Sequence, residues 1–418
     1  MISNTGKTKV FYSFLLIAAA HFTVLGGGFQ VSLQGAKQNM MSDAGSALSL
    51  DASSVYFNPG GLAFLEKRAY FNVGVNLVFP TVGYQVNAPG SYSATNTNKF
   101  SNPILFYASY KLKPDSKWTI AFGVNNPFGS SLVYDDNWIG QMAIREISLK
   151  TFCFQPTISY KISEKLGVGI SYNHYAGDLV LRKALPITDA TTGKFGEAKL
   201  SGNASGIGFN LGIIYKPIKQ LSIGLDYRSQ STLRLRHGTA EFTVPSALAD
   251  SFPKTQFTSQ LKLPQIVTLG FAYTIAEKLT IVADVNFTGW KCYDTLRFDY
   301  AFNSKSLEDT KITKNYKNAF SYRLGVQYKI ANFITARVGG FYDLTPVQDG
   351  FLSPDGPDAN RIGGSAGISL YPGKHFNIDL SYMYLETAKR TGGSAESGFY
   401  GTYKVKAAIP TLGLQYTF

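Results

Sequence analysis

The chain has 418 residues, of which 14% are aromatic and only 16% are charged. The formal net charge is +13, but the Lys and Arg residues are scattered and form no domain-sized basic block, which argues against a nucleic-acid-binding protein. Two cysteines, Cys153 and Cys292, are too few for a disulfide scaffold, and we expect them to be unpaired. High aromatic content without long apolar runs favours alternating strands over helices.

The first 26 residues have the features of a secretory signal peptide. Lys7 and Lys9 precede a short apolar run at 10–20, and small residues follow at Gly26 and Gly27. The run is too short to span a bilayer comfortably, so an N-terminal anchor helix is the less favoured alternative. We therefore expect an exported protein that is cleaved near Gly26 or Gly27.

Residues 27–69 do not show the alternation of a strand. They combine short helical pieces with glycine turns, and they include the stretch "DASSVYFNPGGLAFL" from Asp51 to Leu65. A segment of about forty residues is too small for an independent core. It therefore predicts a hatch, a small plug that is stable only when packed inside a larger structure.

From residue 70 onward the sequence alternates with a period of two. In "LSIGLDYRS", apolar residues at 221, 223, 225 and 227 alternate with small or polar residues. Short connections also alternate with long ones, which is typical of outer-membrane barrels with short periplasmic turns. We predict an all-β fold, a transmembrane antiparallel β-barrel of about fourteen strands over 70–418, with apolar faces toward lipid and polar faces toward the lumen. The predicted strands lie near 70–79, 103–112, 117–126, 148–160, 165–177, 200–215, 220–234, 256–273, 278–290, 317–329, 333–342, 361–371, 375–385 and 404–418.

The chain ends in "TLGLQYTF", in which Leu412, Leu414, Tyr416 and Phe418 share one face. This ending resembles the assembly signal of bacterial outer-membrane barrels, although an ordinary closing strand would show the same alternation. We expect the barrel-assembly machinery to recognise this strand. We also expect a monomer in the bacterial outer membrane, in contact with membrane lipid and lipopolysaccharide.

The stretch "GGFQVSLQGAKQNMMSDAGSALSLDASSVYFNPGGLAFL" resembles the N-terminal hatch of the FadL/TodX family of outer-membrane transporters. Further matches follow in order: "NNPFG" at 125–129, "LPQIVTLGFAYTIAEKLTIVADVNFTGW" at 263–290 and "SPDGPDANRIGGSAGISLYPGKHFNIDLSYMYLE" at 353–386. The resemblance covers nearly the whole mature chain. It implies passive uptake of hydrophobic molecules, such as long-chain fatty acids or aromatic hydrocarbons, without ATP, metal or another cofactor.

The resemblance also implies a route. In the family the ligand is captured between extracellular loops, moves to a luminal site near the N-terminus, and leaves sideways at a kinked third strand. The Asn58-Pro59-Gly60 turn is the expected gate, and Gly60 stands where the family has Ala, which is expected to make the hatch more mobile. Ligand contacts inside the barrel are expected from four hatch residues, with simple packing on the wall as the alternative: Phe29, Leu33, Val55 and Phe57.

The long connections 178–199 and 235–255 are expected to form the capture groove, unless their apolar residues only order the loops. Gly123 and Pro127 mark the expected lateral opening, or else an ordinary strand end. The expected groove residues are Leu185, Ile187, Phe242, Val244, Leu248 and Phe252. Luminal charged residues are expected to pair across the wall or with the hatch: Asp226, Arg228, Asp284, Arg323, Arg337 and Asp379.

An enzyme is the rival from another class. Once the signal peptide is removed, His174, His237 and His375 remain, and none lies in a Ser- or Asp-based catalytic motif. We therefore expect no enzymatic activity, no catalytic residue and no metal site. A general diffusion porin, with an open hydrated lumen, and a purely structural barrel are the remaining alternatives to the transporter.

Overall fold

The computed structural model describes residues 27–98, 100–304 and 306–418, so the predicted signal peptide at 1–26 lies outside the described residues. The described part of the chain contains two short α-helices, α1 (Ala36–Asn39) and α2 (Ser54–Phe57), and three 3₁₀-helices at Pro59–Phe64, Ser246–Ser251 and Trp290–Cys292. None of these helices is long enough or apolar enough to cross a membrane. The strands are β1 (Ala69–Asn76), β2 (Phe79–Gln85), β3 (Ser93–Thr95), β4 (Ile104–Lys111), β5 (Trp118–Asn125), β6 (Gly129–Val133), β7 (Glu146–Lys161), β8 (Leu166–Thr188), β9 (Phe195–Ile218), β10 (Leu221–Arg228), β11 (Ser231–Thr243), β12 (Thr255–Leu263), β13 (Ile266–Ile275), β14 (Leu279–Thr288), β15 (Thr295–Tyr300), β16 (Thr310–Thr313), β17 (Ala319–Ala331), β18 (Ile334–Asp343), β19 (Arg361–Leu370), β20 (Phe376–Thr387), β21 (Arg390–Ser394) and β22 (Phe399–Thr417).

Fourteen of these strands close one antiparallel barrel. The last strand pairs with the first, with Tyr70 opposite Thr417, so the ring has no free edge. The remaining strands continue the wall beyond short interruptions, toward the side of the long connections. The prediction of about fourteen strands is confirmed. The ring runs in the order β1, β4, β5, β7, β8, β9, β10, β13, β14, β17, β18, β19, β20, β22 and back to β1.

The period-two pattern determines which side chains face lipid. On β9, Leu211, Ile213 and Tyr215 point outward and are 42–45% exposed, whereas Ile214 between them is fully buried. An apolar outer band is what the hydrocarbon core of a bilayer requires, because a barrel satisfies its backbone hydrogen bonds between strands. The alternation read from the sequence therefore corresponds to the two faces of the wall.

Two predicted loops are largely strand, and the prediction is wrong there. β8 and β9 continue past the wall as a paired hairpin, so the connection predicted at 178–199 shrinks to a turn at 189–194. In this extension Leu181 lies directly opposite Leu200. The apolar residues that we expected to form a capture groove therefore continue the pairing of the two strands. Likewise β11 runs to Thr243, and the connection at 235–255 retains only the 3₁₀-helix at Ser246–Ser251 before β12.

The barrel interior has a polar zone and an apolar zone. Near the short turns the inward side chains are polar, and Gln155, Asn173 and Asn210 are fully buried there. Near the long connections the interior is filled by a large cluster of apolar and aromatic side chains, which includes Leu233 and Trp290. The expectation that polar faces line the lumen therefore holds for only one half of the barrel.

Candidate functional site

The N-terminal segment, residues 27–68, packs inside the ring of strands. Its contacts reach inward side chains on widely separated strands. Gly45 and Ser46 donate backbone hydrogen bonds of 2.9 and 3.0 Å to the Asp284 carboxylate of β14. Arg323 of β17 donates a hydrogen bond to the Ser42 carbonyl oxygen at 2.8 Å, and Arg228 of β10 donates one to the Tyr56 carbonyl oxygen at 3.0 Å.

Buried charges reinforce this packing. The Lys37 ammonium lies 3.1 Å from the Asp51 carboxylate, and both groups belong to the N-terminal segment. Burial by itself lowers the pKa of Lys37, but the charge of Asp51 and that of Asp379 outweigh burial, so the pKa lies above its ordinary value. Burial raises the pKa of Asp43 to about 7, against the opposing influence of Arg323.

Four of the six luminal charged residues named from the sequence bond directly to the N-terminal segment, namely Arg228, Asp284, Arg323 and Arg337, the last of which donates to the Met40 sulfur at 3.7 Å. Arg323 also pairs with Asp343 of the wall at 3.2 Å. Arg337 and Asp379 also share a hydrogen-bonding partner in Ser369. Among the described residues, one oxygen of Asp226 has no hydrogen-bonding partner, although it lies at the same polar interface.

The Asn58-Pro59-Gly60 turn is fixed to the wall rather than free. The Asn58 side-chain amide donates hydrogen bonds to Ser46 of its own segment at 2.9 Å and to Ile213 of β9 at 3.0 Å. Its oxygen accepts the Gly60 backbone N–H at 3.0 Å and so caps the 3₁₀-helix Pro59–Phe64. Asn58 thus joins the segment to the wall and to the following helix at once.

Glycines in the wall form the surface on which this turn rests. A β-carbon at Gly169 would lie 2.5 Å from the Pro59 carbonyl, and one at Gly212 would lie 2.5 Å from Pro59 Cδ. Conversely, a β-carbon at Gly60 would lie 2.9 Å from the carbonyl oxygens of Gly167 and Gly212. Gly60 therefore permits a close approach of two backbones, which is a different role from the loosened turn expected from the sequence.

The start of the N-terminal segment reaches the apolar zone. The Phe29 ring meets Trp290 edge-on at a centroid distance of 4.7 Å and Tyr293 at 5.3 Å. The Gly28 backbone N–H donates a hydrogen bond of 2.7 Å to the carboxylate of Asp358, which lies in the connection between β18 and β19. The start of the N-terminal segment is therefore anchored by one aromatic cluster and one carboxylate.

A cavity of about 240 Å³ opens next to Phe29. Its wall is mainly aliphatic and aromatic, and it includes Lys314, whose ammonium lies 2.6 Å from the Asp355 carboxylate. The apolar lining is contributed chiefly by Leu132, Ile147, Leu149, Leu179, Leu233, Leu235, Leu261 and Tyr293. This apolar, partly enclosed space is the candidate ligand site.

The cavity extends to an interruption in the barrel wall. β5 ends at Asn125 and β6 begins at Gly129, and Pro127 lies in the gap between them. Here the strand turns inward, because the Pro127 carbonyl oxygen accepts a hydrogen bond of 3.0 Å from Val31 and the Gly129 N–H donates one to Phe29 at 3.0 Å. The backbone between β5 and β6 therefore pairs locally with the N-terminal segment, while Asn126 and Phe128 remain hydrogen-bonded to Thr151 of β7.

The predicted luminal residues fall into separate groups. Phe29 lines the cavity. Leu33 is buried against Phe341 and neighbouring wall residues, and Val55 is buried in a cluster around Tyr107. Phe57 lies at the small polar chamber between the N-terminal segment and the wall. Of the four, the geometry brings only Phe29 to the apolar cavity.

Gly123 does not mark the interruption. It lies in the unbroken ladder of β5, opposite Tyr107 on one side and Gln155 on the other. A β-carbon there would lie 3.0 Å from Val55, so this glycine makes room for the N-terminal segment. The interruption lies a few residues further on, at Pro127.

The predicted groove residues lie at the far end of the β8–β9 and β11–β12 hairpins. Phe242 contacts Phe252 with ring centroids 5.7 Å apart, and Phe242 and Leu185 pack on the apolar zone. Leu248 is exposed, whereas Ile187 and Val244 are half-buried. The aromatic pair thus orders the connection, while Leu248 remains accessible to a ligand.

The connection between β6 and β7 covers part of the same end of the barrel. Trp138 stacks on Tyr134 at a centroid distance of 4.0 Å and donates a hydrogen bond of 2.7 Å to the Ile144 carbonyl oxygen. Arg145 pairs with Glu197 of β9 at 3.0 Å, which ties this connection to the β8–β9 hairpin.

The sequence analysis did not predict this covering connection, nor did it predict Trp290, Tyr293 and the cavity leucines. If the inward–outward alternation of β11 and β12 is continued beyond the breaks in the wall, it predicts that the cavity leucines point into the barrel.

Within the described residues, no three His, Cys, Asp or Glu side chains are arranged to hold a metal ion. Cys153 and Cys292 are not joined in a disulfide. The candidate site thus consists of an apolar cavity, an anchored N-terminal segment and an interruption in the barrel wall. None of these features is a nucleophile with an adjacent base.

Comparisons with known proteins agree with this arrangement. The long-chain fatty acid transport protein of Salmonella typhi is 22% identical over 82% of this chain and 84% of its own length. Outer membrane protein P1 of Haemophilus influenzae is 24% identical over 90% of both chains. Among solved structures, a FadL homologue from Pseudomonas aeruginosa covers 94% of this chain and 100% of its own, with a TM-score of 0.81 and 17% identity. The toluene transporter TodX from P. putida covers 94% and 99%, with a TM-score of 0.72 and 16% identity.

The family match spans residues 16–418, which is nearly the whole chain. This family consists of outer-membrane transport proteins rather than enzymes, and the closed barrel agrees with that location. The chain therefore belongs to the outer membrane protein transport family, OMPP1/FadL/TodX, and is an outer-membrane transporter of hydrophobic compounds.

Proposed function

We propose that this transporter takes up small hydrophobic molecules passively, by binding them in the apolar cavity beside Phe29 and releasing them sideways through the wall interruption at Pro127. The observation that carries the proposal is the continuity of the two features. Gly129 and Leu132, which follow the interruption, also line the cavity. A molecule in the cavity is thus already in contact with the strand that leaves the wall.

The size and lining of the cavity indicate the ligand class. An apolar cavity of about 150 Å³ accommodates benzene, so a cavity of about 240 Å³ accommodates a substituted aromatic ring or part of an acyl chain. Both basic side chains of the lining are ion-paired, Lys314 with Asp355 and Arg361 with Asp343, and Asp358 accepts hydrogen bonds from Gly28 and Thr345. The cavity therefore suits an uncharged or apolar group. Names of relatives point the same way, toward long-chain fatty acids or toluene.

Two further steps complete the proposed route. Capture begins at the outer ends of the β8–β9 and β11–β12 hairpins, where Leu248 is exposed next to the Phe242–Phe252 pair. The N-terminal segment acts as the hatch, because it fills the polar half of the lumen and places Phe29 at the cavity. Ligand that displaces Phe29 would disturb its hydrogen-bonded contact with Gly129 and so couple binding to the interruption.

The test is a binding measurement on the protein reconstituted in vesicles, with radiolabelled oleate and toluene as probes and ion conductance recorded in parallel. Ala204→Trp on β9 fills the cavity, and Ile207→Trp, at an exposed outward position of the same strand, is the matched control. We expect the first variant to lose binding and the second to retain it. Large stable ion currents without binding of either probe would identify a porin instead.

A further inference from the structure

The wall formed by β11, β12, β15 and β16, beyond the ring of strands, carries a group of basic side chains on its outer surface. Arg234 lies between Leu233 and Leu235, which are buried and line the apolar cavity, so the Arg234 side chain points away from the interior. Lys262 and Arg297 are exposed in the same way, between apolar neighbours that belong to the interior cluster. The outward basic face consists of Arg234, Arg236, Lys262, Arg297 and Lys311.

Three of these side chains lie along one line across the strands. Arg234 of β11 lies opposite Gln260 of β12, and the pairing of β12 with β15, continued by one residue, sets Gln260 opposite Arg297. Arg297 in turn lies opposite Lys311 of β16. Residues directly opposite each other share one face of a sheet, so all three cations point outward. Neighbouring strands are about 4.8 Å apart, so the three cations fall within about 15 Å.

A bulge in β11 adds a fourth cation to this face. The pairing of β11 with β12 shifts between Leu235 and Gly238, so the two residues between them oppose a single partner. These two residues are Arg236 and His237, and both are exposed. Bulges redirect side chains in this manner. Lys262, which lies on the same outer face of β12 and closer to the ring, completes the group.

The protein itself does not neutralise this charge. Among the described residues, no carboxylate lies within 4.0 Å of any of the five cations. Two carboxylates share the surface without pairing. Asp299 lies two residues from Arg297, and Asp178 lines an open hollow of about 620 Å³ together with Arg234 and Arg236. The outward basic face is therefore available to an external anion.

The outward basic face begins where the apolar outer band of the barrel ends. On β9 the outward residues Phe209 and Ile207 are apolar and exposed, and the next outward residue is Ser205. Arg234 lies directly opposite Ser205. Phe209 contacts the outward ring of Tyr227 at a centroid distance of 5.8 Å, as in the aromatic girdles at membrane interfaces. The cations therefore lie just outside the hydrocarbon, at the level of lipid headgroups.

We propose that the outward basic face is a binding surface for the phosphate groups of lipopolysaccharide. The long connections of outer-membrane barrels face the outside of the cell, so the headgroups at this level belong to the outer leaflet, where lipopolysaccharide carries phosphates. Clusters of four to eight basic side chains at a membrane surface recruit anionic lipid, and Arg offers paired donors to phosphate oxygens. The expected contact with lipopolysaccharide thereby concentrates on one side of the barrel.

The test is competition for labelled lipid A, the phosphate-bearing anchor of lipopolysaccharide, on the protein in micelles of a zwitterionic detergent. Fluorescence anisotropy reports the bound label. The competitors are bisphosphorylated lipid A, lipid A from which both phosphates have been removed, and inorganic phosphate. We expect the phosphorylated form to displace the label at roughly tenfold lower concentration than the phosphate-free form. High salt should reduce this preference because it screens the charges.

Two double variants locate the effect. Arg234→Gln combined with Arg297→Gln removes two cations that form no ion pair, and is expected to abolish the preference for the phosphorylated form. Lys404→Gln combined with Lys406→Gln is the matched control. These lysines point outward on β22, on either side of the cavity residue Val405 and on the opposite side of the ring, and their loss is expected to retain the preference.

Equal displacement by the two forms of lipid A in the wild-type protein overturns the proposal, and this comparison does not depend on the folding of any variant. A preference that survives in the Arg234 and Arg297 variant also overturns it, as does an equal loss in the Lys404 and Lys406 variant. Displacement by inorganic phosphate as effective as that by phosphorylated lipid A would identify a site for free phosphate instead. Because oleate and toluene are absent from the readout, failure here is distinct from failure of the proposed transport route.

Discussion

Pro59 of the N-terminal segment rests directly on Gly212 of β9, and a β-carbon at Gly212 would lie only 2.5 Å from Pro59 Cδ. The wall is therefore shaped at backbone level to receive the turn. We expect Gly212→Val to displace the Asn58-Pro59-Gly60 turn and to open a polar path beside the segment, because the side chain has no room inward. The check is single-channel conductance in planar bilayers, which should rise above that of the wild type.

Gly340 on β18 supplies the matched control. A β-carbon there would meet only the Gly363 carbonyl oxygen, at 3.7 Å, so Gly340→Val is expected to leave conductance at the wild-type level. Unchanged conductance in Gly212→Val, with correct folding shown by heat-modified gel mobility, would contradict a hatch role for the segment.

Asn58 offers a second test, in which size is kept and the amide donor is replaced by a carboxylate oxygen. Asn58→Asp retains an oxygen for the Gly60 N–H but cannot donate to the carbonyl oxygens of Ser46 and Ile213. A buried carbonyl oxygen without a hydrogen-bond donor lowers the stability of the folded state by about 1–3 kcal/mol, and burying a carboxylate lowers it further. We expect faster hydrogen exchange at the amides of 36–64, measured by mass spectrometry, with the β18–β19 amides as the internal reference.

The strands could be predicted from the sequence because alternation reports directly on the two faces of a barrel wall. In β9, Leu211, Ile213 and Tyr215 are exposed, whereas Gly212 and Ile214 are buried, as the pattern required. The outer extent of β8 and β9 could not be predicted, because a hairpin that leaves the membrane and packs inward also alternates. Strand length and period-two alternation alone do not distinguish a strand that spans the membrane from a hairpin that extends beyond it.

The candidate site was less accessible to sequence reasoning. Phe29 could be expected in the lumen because it lies near the predicted cleavage site and at the start of the predicted hatch. The residues around it, Trp290 and Tyr293, lie more than 260 positions away in sequence, and only the closed ring brings them to Phe29 at 4.7 and 5.3 Å. The role of Gly60 was also hidden, since a close approach to Gly167 cannot be distinguished from a flexible turn without the partner strand.

The Gly28–Asp358 anchor of the N-terminal segment is expected to depend on pH. Burial raises the pKa of Asp358 to about 6, although the charge of Arg361 opposes the shift. The folded state therefore binds this proton more tightly than the unfolded state, so the contribution of Asp358 to stability decreases as pH rises from about 4 to about 6. This contribution is on the order of 2–3 kcal/mol at most.

Asp358→Asn removes the titrating group and keeps an oxygen for the Gly28 N–H and the Thr345 hydroxyl. We expect the free energy of unfolding, measured with urea in lipid vesicles, to decrease less between pH 4 and pH 6 in this variant than in the wild type. The difference between the two decreases should be on the order of 2–3 kcal/mol at most. Thr345→Val is the control, since it removes one hydrogen-bonding partner without removing the carboxyl group. Identical pH profiles for Asp358→Asn and the wild type would show that the carboxyl group titrates at its ordinary value.

The last prediction separates ligand contact from packing within the N-terminal segment. Phe29 lines the cavity, whereas Leu33 is buried against Phe341 on the wall. Phe29→Ala removes apolar surface from the cavity and is expected to weaken oleate binding by roughly 1–2 kcal/mol, or about tenfold in Kd. Leu33→Ala is expected to lower the unfolding free energy by about 2–5 kcal/mol without a comparable change in Kd. Equilibrium binding of radiolabelled oleate, measured below the unfolding transition of both variants, distinguishes them. Equal losses of affinity would mean that Phe29 acts through the position of the segment rather than by touching the ligand.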